Sequence, residues 1–546
     1  MRGRTRTVLA VLVVAAMTIA ACGDSKKAGS TTDVLRINMA SDNVYQNNFN
    51  PLLSNAAPGT QKYIYQSLMG VDILKGGEYI PWLAKGYQIT PDGKTLTVDL
   101  DERATWSDGK PVTSDDVVFT LDLVKKTPEL NTNGVDYDTA TATDPKKVTI
   151  TFKAAGFTLL TSILSQYIVP KAAFAGQDAK TFTNANPVGS GPYTLKRFNP
   201  QQITLSLRDN YWRSSEIQVK QIEMPVTNSA TEVSQLESGQ LDLSGGAIPN
   251  LITQYVDKSP QNGYFYPTYG ALFVGFNLDR AVTQNIHVRR GLSLALDRQQ
   301  LITLTTQVGA NPISQTGLDA ATQQKWLDPA LAEPVKQDQA AALAEFAQAG
   351  YTQKDGKLID AAGKQLSLTF GENAEWTDSV QRARIIADQL GKVGVNLKVV
   401  AAPGGTYGDD RGKGTWDLVA FGFAYGATPW LMYNSMLSSK LAGNASGTPS
   451  SYANFGRYRD AATDALLAEL AGAATEEQQV SLTRQIEHVM VDQMPVVTLS
   501  NITAGCAYST RNWTGFPSAK DPYTVCAPWF NGPQVETMLT RLRPAK

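Results

Sequence analysis

The sequence predicts a mixed α/β protein of at least two domains. Three observations predict it. The chain has 546 residues, well beyond the roughly 250–300 that one hydrophobic core usually serves. Apolar residues recur with strand spacing in some segments and with helix spacing in others, and the two alternate along the chain. The second half also holds a strand–helix–strand unit. Leu366, Leu368 and Phe370 mark the first strand, Val380, Ala383, Ala387 and Leu390 one helix face, and Val395, Leu397 and Val399 the second strand. Gly391 and Gly394 end the helix, and a crossover of this length pairs its strands in parallel.

The other elements follow in chain order. Val34–Met39 reads as the first strand, and Tyr63 to Leu68 as the face of a helix. Leu96, Val98 and Leu100 alternate with polar residues, as do Val148, Ile150 and Phe152, so both segments read as half-buried strands. Between them, Thr113 caps a helix reaching Lys126, with Asp116 at the capping-box position and Val117, Leu121 and Val124 as its apolar stripe. Ile203, Leu205 and Leu207 mark another strand, and Thr231 to Ser238 a helix stopped by Gly239. Leu241 to Leu243 is extended, and Phe273 to Asn277 reads as a strand crossing between domains. Trp416 to Phe421 reads as a further strand, Ala461 to Ala471 and Glu476 to Val491 as helices, and the chain from Val496 as strand and loop. No internal repeat or heptad run is present.

The N-terminus carries an address. Arg2, Arg4 and Arg6 precede an apolar run from Val8 to Ala21. That run is short for a membrane span, and its basic head and small-residue end fit a signal peptide over residues 1–21. Ile19-Ala20-Ala21-Cys22 resembles a bacterial lipobox, which makes Cys22 a lipidated first residue and residues 22–33 a polar tether. The chain is thus expected outside the cytoplasm, anchored to the outer face of the cell membrane. Cys506 and Cys526 are expected to pair in that compartment. A formal net charge of -1 gives no overall basic bias toward nucleic acid.

Catalytic repertoire is thin. The chain has two histidines, His287 and His488, and neither a Gly-x-Ser-x-Gly elbow nor a phosphate-binding glycine loop. The same shortage, with no cysteine pair at ligand spacing, leaves no metal site. No cofactor is expected, and a secreted hydrolase is the disfavoured rival class. Aromatic residues point elsewhere: the chain has 21 Tyr, 17 Phe and 9 Trp, several of them in turn-rich segments. Aromatic walls with polar rims suit a small-molecule cleft. The glycine-rich aromatic stretch Phe421 to Trp430 is the leading candidate, and the ligand-contact candidates are Phe423, Ala424, Tyr425, Trp430, Trp416 and Tyr269.

Several motifs together resemble one family. They are the segment from Ala104 to Thr120 (Ala-Thr-Trp-Ser-Asp-Gly-Lys-Pro-Val-Thr-Ser-Asp-Asp-Val-Val-Phe-Thr), Pro187 to Tyr193, Arg208 to Trp212, Phe276 to Asp279 and Val288 to Arg298. The chain resembles the family 5 extracellular solute-binding proteins of ABC importers, the oligopeptide, dipeptide and nickel-binding group, over nearly all of its mature length. The resemblance implies a two-lobed periplasmic-binding-protein-like fold (type II, cluster C) with a subdomain inserted in the first lobe. It places lobe I in 34–59, 186–272 and 497–546, the inserted subdomain in 60–185 and lobe II in 273–496. It implies a monomer that closes over a peptide or oligosaccharide solute and delivers it to an ABC permease and ATPase complex. In peptide binders of this family an aspartate often pairs with the peptide amine, and Ala424 falls at about that position. A peptide-like solute is the leading expectation, and an oligosaccharide is the alternative.

Overall fold

The structure is a computed structural model describing residues 33–39, 44–227, 231–246, 248, 250–305, 308–443 and 453–546, with backbone only at 377 and 405. The signal-peptide and Cys22 expectations lie outside the described residues. Two large sheets form the two lobes. The first has seven strands in the order Asn262–Phe265, Cys506–Ser509, Leu243–Ser244, Val34–Asn38, Gln221–Pro225, Gln202–Leu207 and Tyr193–Asn199. Val34–Asn38 lies parallel to both of its neighbours, and the remaining pairs are antiparallel. The second has five strands in the order Asn396–Ala402, Ser367–Asn373, Leu418–Ala424, Thr268–Phe276 and Val496–Thr503. Its first two strands are the parallel pair of the strand–helix–strand unit, with Leu368 opposite Leu397, and the connecting helix is Thr377–Lys392.

The inserted subdomain is a four-stranded antiparallel sheet of Ala84–Ile89, Thr95–Leu100, Lys147–Thr151 and Thr139–Asp144. The helix Ser114–Lys126 packs on it and buries Val117, Leu121 and Val124, as its stripe requires. One apolar cluster runs unbroken from lobe I, through Leu35 and Ile222, to Leu96 and Leu121 of the subdomain. The subdomain therefore extends the core of lobe I. Lobe II has apolar clusters that include Leu368 and Phe370 in one and Phe273 and Phe421 in the other.

The family motifs fold into corners that brace this frame. The Asp116 carboxylate accepts from the Thr113 backbone at 2.9 Å, from Trp106 Nε1 at 3.3 Å and from the Lys171 backbone at 2.9 Å. Arg208, from another motif, donates to the Gly189 carbonyl at 2.9 Å and the Thr105 carbonyl at 3.0 Å. Arg298 reaches the Thr498 carbonyl of a crossing strand at 2.7 Å. These buried arginines spend their fork of donors on main-chain carbonyls.

Two sequence expectations shift. Tyr63 to Leu68 is not a helix face: a single turn, Thr60–Ile64, ends at Tyr65, whose backbone is extended, and Ser67 bridges Tyr167. Tyr63 packs its ring on that of Tyr193 and the Tyr65 hydroxyl accepts from Asn184 Nδ2 at 2.7 Å, and the whole run from Tyr63 to Leu68 is buried, so burial and not helical period sets the pattern. The strand expected from Trp416 starts at Leu418 and runs to Ala424.

The lobes are joined by two adjacent crossings. Asn262–Phe265 of lobe I leads through Tyr266 and Pro267 into Thr268–Phe276 of lobe II. Val496–Thr503 of lobe II leads through Ala504 and Gly505 into Cys506–Ser509 of lobe I. Phe265 pairs with Cys506 on one side and Thr268 with Thr503 on the other, so the crossings run antiparallel, side by side. Thr268–Phe276 and Val496–Thr503 thus lie whole in the second sheet and pass through the divisions expected at 272/273 and 496/497. Gly505 is required at its crossing because the Tyr266 ring lies where a side chain would start, 1.9 Å from an added Cβ. Cys506 and Cys526 form a disulfide.

Candidate functional site

Strand Leu418–Ala424 pairs with Thr268–Phe276 along its length, Phe276 opposite Leu418 and Gly270 opposite Ala424. Its other edge is different. There it meets Ser367–Asn373 at only two positions, Leu418 and Val419. The neighbouring strand pairs residue by residue with Asn396–Ala402 instead. From Ala420 to Ala424 this edge has no strand partner among the described residues. Gly422 and Ala424 are exposed and Phe423 is half-buried, its ring 5.4 Å from that of Phe421. An open edge of this kind presents main-chain donors and acceptors to a guest. Tyr425 then turns inward, its backbone N–H donating to the Tyr269 carbonyl at 3.1 Å.

The other wall is aromatic. Tyr269 is the second residue of the crossing strand, and its ring lies 5.7 Å from that of Trp529 and 6.1 Å from that of Phe530. Trp529 is 37% exposed. Its ring rests against Gly245, at the end of the lobe I strand Leu243–Ser244. Trp529 therefore stands at the lobe junction beside the open edge, because Tyr269 is one residue from Gly270 and Gly270 faces Ala424.

At the far side of the cleft the lobes touch. Gly77 of the subdomain, at φ 96°, approaches Ala427 so closely that an added Cβ would lie 2.6 Å from its Cα. The turn Phe157–Leu159 packs against helix Ala461–Gly472 of lobe II. Between these contacts is a cavity of about 550 Å³, lined by residues that include Tyr79, Tyr87 and Phe157 from the subdomain and Lys325, Trp326 and Gln479 from lobe II. The subdomain and lobe II thus meet across this cavity.

Carboxylates near the open edge are already engaged or sealed. Asp319 accepts from Asn501 Nδ2 at 2.9 Å and from the Ala321 backbone at 2.9 Å. Asn501 also donates to Thr268 Oγ1 at 2.9 Å and accepts from the Asn311 backbone at 2.8 Å, tying both crossing strands to one loop. Glu372, at the end of strand Ser367–Asn373, is 1% exposed. Burial pushes its carboxyl up to about 7, against the opposing pull of the Arg382 guanidinium. Among the described residues no three His, Cys, Asp or Glu side chains cluster as a metal site.

The six candidate residues separate. Phe423, Ala424 and Tyr269 lie at the open edge or its aromatic neighbour. Tyr425 is buried, its phenol pushed well up by burial. Trp430 is half-buried, and its Nε1 donates to the Leu467 carbonyl at 3.0 Å within lobe II. Trp416 is a core residue stacked on Tyr407 with centroids 5.8 Å apart. Trp529 and Phe530 are not among those six, although both rings line this wall. They lie more than 100 residues from Phe423 in the chain, so spacing gave no link between them. The two histidines sit on lobe II helices, and His287 Nδ1 is 2.7 Å from Glu345.

Two lobes joined by two crossing strands, with an open strand edge beside the junction, are the frame of a solute-binding protein. The chain belongs to the bacterial extracellular solute-binding proteins, family 5, whose model matches residues 78–445. This class comprises transport binding proteins, not enzymes. The periplasmic oligopeptide-binding protein OppA of Escherichia coli K12 is 25% identical over 498 residues, covering 84% of this chain and 85% of that one. Protein XP55 of Streptomyces lividans is 27% identical over 415 residues, covering 74% and 73%. A solved periplasmic oligopeptide-binding protein of Thermotoga maritima superposes with a TM-score of 0.83 at 23% identity, covering 94% of this chain and 99% of that one. A second structure of the Thermotoga maritima protein, bound to mannohexaose, gives 0.80 at 23% identity with 94% and 98% coverage. Among the described residues no helix is long and apolar enough to cross a membrane.

Proposed function

We propose that this protein captures a peptide-like solute outside the cytoplasm and hands it to an ABC permease and ATPase complex. The observation that carries the ligand class is the unpartnered edge of Ala420–Ala424. An extended peptide laid along it would complete the sheet by strand addition, with main-chain bonds giving affinity and side chains entering flanking pockets. Similarity to oligopeptide-binding relatives supports this reading. Ala424 brings no carboxylate to a peptide amine, so recognition falls on the main chain and on apolar side-chain contact. The chain works as a monomer exported on residues 1–21 and anchored through lipidated Cys22. The division into lobe I, inserted subdomain and lobe II goes with it, with the lobe boundaries moved to the hinges Tyr266–Pro267 and Ala504–Gly505.

An oligosaccharide is the second reading. It is favoured by the aromatic wall of Tyr269, Trp529 and Phe530, since flat rings suit sugar faces. Isothermal titration of the exported protein against peptide and oligosaccharide mixtures tests both. Heat and affinity with peptides are expected, and binding of saccharides alone would sink the peptide reading.

A further inference from the structure

Lys62 sits in the turn Thr60–Ile64 and is 3% exposed. Its Nζ donates to the Pro528 carbonyl at 2.5 Å and to the Phe530 carbonyl at 3.3 Å. These acceptors flank Trp529, the exposed ring at the lobe junction. The rest of the loop has further ties. Its base is fixed by the Cys506–Cys526 disulfide, and Thr524 Oγ1 donates to the Gln534 carbonyl at 3.1 Å. Near the tip, Asn531 Nδ2 donates to Gln61 Oε1 at 3.0 Å.

We infer that Lys62 is a positioning residue for the solute cleft. It holds the peptide units on both sides of Trp529, and so sets that ring as the wall of an apolar subsite, more firmly as an ammonium than as a neutral amine. The inference rests on the solute-cleft reading of Trp529. An ammonium has three protons to donate and a neutral amine two. Two carbonyls match the two N–H donors of the amine and leave one N–H of the ammonium without an acceptor, while charge-assisted bonds hold the loop more strongly. Both forms are therefore accessible. Burial pushes Lys62 down to about 7.

The charged and titratable groups on the elements packed around it are occupied elsewhere or face solvent. Glu536, on helix Gln534–Arg541, accepts from Trp82 Nε1 at 2.7 Å, the Tyr211 hydroxyl at 2.6 Å, Arg213 at 2.9 Å and Gln66 at 3.3 Å. Arg541 of that helix pairs with Asp521. On strand Tyr193–Asn199, Lys196 and Arg197 are exposed. Tyr63 and Tyr193 are pushed up by burial and stay neutral.

The test needs no ligand, so it is separable from the solute titration. The full chain is labelled with fluorotryptophan, and the Trp529 resonance is assigned with Trp529→Phe. It is then followed from about pH 5.5 to 9, a range bracketing the Lys62 transition. The expected result is a shift with a midpoint near 7 in the native protein, absent in Lys62→Met. Should Lys62→Met fail to fold, Lys62→Gln, which keeps donors but cannot titrate, serves the comparison and is also expected to be flat. A native protein with no such shift, or a shift unchanged in the substituted protein, overturns the inference.

Discussion

Replacing Glu372 with glutamine should stabilise the protein, and only above acid pH. The carboxyl is buried, one of its oxygens lacks a hydrogen-bond partner among the described residues, and its ionisation is held up to about 7 against an ordinary 4.5. That difference corresponds to roughly 3 kcal/mol. The folded state keeps a proton that the unfolded chain releases between those two values. The stability this group contributes is complete below about 4.5 and is lost as pH rises through about 7. A glutamine side chain has the same shape and cannot ionise. Urea unfolding followed by circular dichroism should show native and Glu372→Gln proteins within about 0.5 kcal/mol near pH 4, and the variant more stable by about 2–3 kcal/mol near pH 8. Glu487, also raised to about 7 by burial, moves in the same direction in both proteins and cancels in the difference. A variant less stable at pH 8, or a difference independent of pH, would refute the argument that burial governs this carboxyl.

Two further outcomes follow from contacts described above. Gly77→Val places a side chain into Ala427, so the contact between subdomain and lobe II must yield; overpacking of this kind is worth about 1–3 kcal/mol. Small-angle scattering should show a larger radius for the variant, with solute affinity lowered about 5- to 150-fold, and an unchanged radius would contradict the contact. Removing the disulfide with Cys506→Ala and Cys526→Ala together, across a separation of 20 residues, should lower stability by about 3 kcal/mol in thermal or urea unfolding.

Local features were legible in the sequence. The helix Ser114–Lys126 was readable because cap, stripe and last-turn lysines all lie within one short window. The parallel unit around Thr377–Lys392 was readable because two strand periods bracket one helix period. Tyr63 to Leu68 misled because continuous burial across a turn and the extended segment after it imitates a helix face. At the site, Phe423 and Ala424 were within reach because strand and glycine signals are adjacent there. The open edge was not, since it depends on where Ser367–Asn373 stops pairing. Lys62 and Pro528 lie 466 positions apart, and no periodicity connects a lysine to carbonyls that distant. The family motifs identify the frame and say little of the guest, because Asp116, Arg208 and Arg298 bind main chain of their own protein.

The place of Cys506–Ser509 within the first sheet governs how such a molecule can be made. It is an interior plank, flanked by Leu243–Ser244 and Asn262–Phe265, yet ribosomes produce it long after either neighbour. Until it arrives, both neighbours lack a partner they need, and their pairing spans more than 240 residues of chain. Long-range pairing of this sort is slow to form. The lobe I sheet of a nascent chain thus stays incomplete through most of synthesis. Early termination a few dozen residues short would strip out that plank and cut Asn262–Phe265, the strand that leads into lobe II, away from the rest of the lobe I sheet.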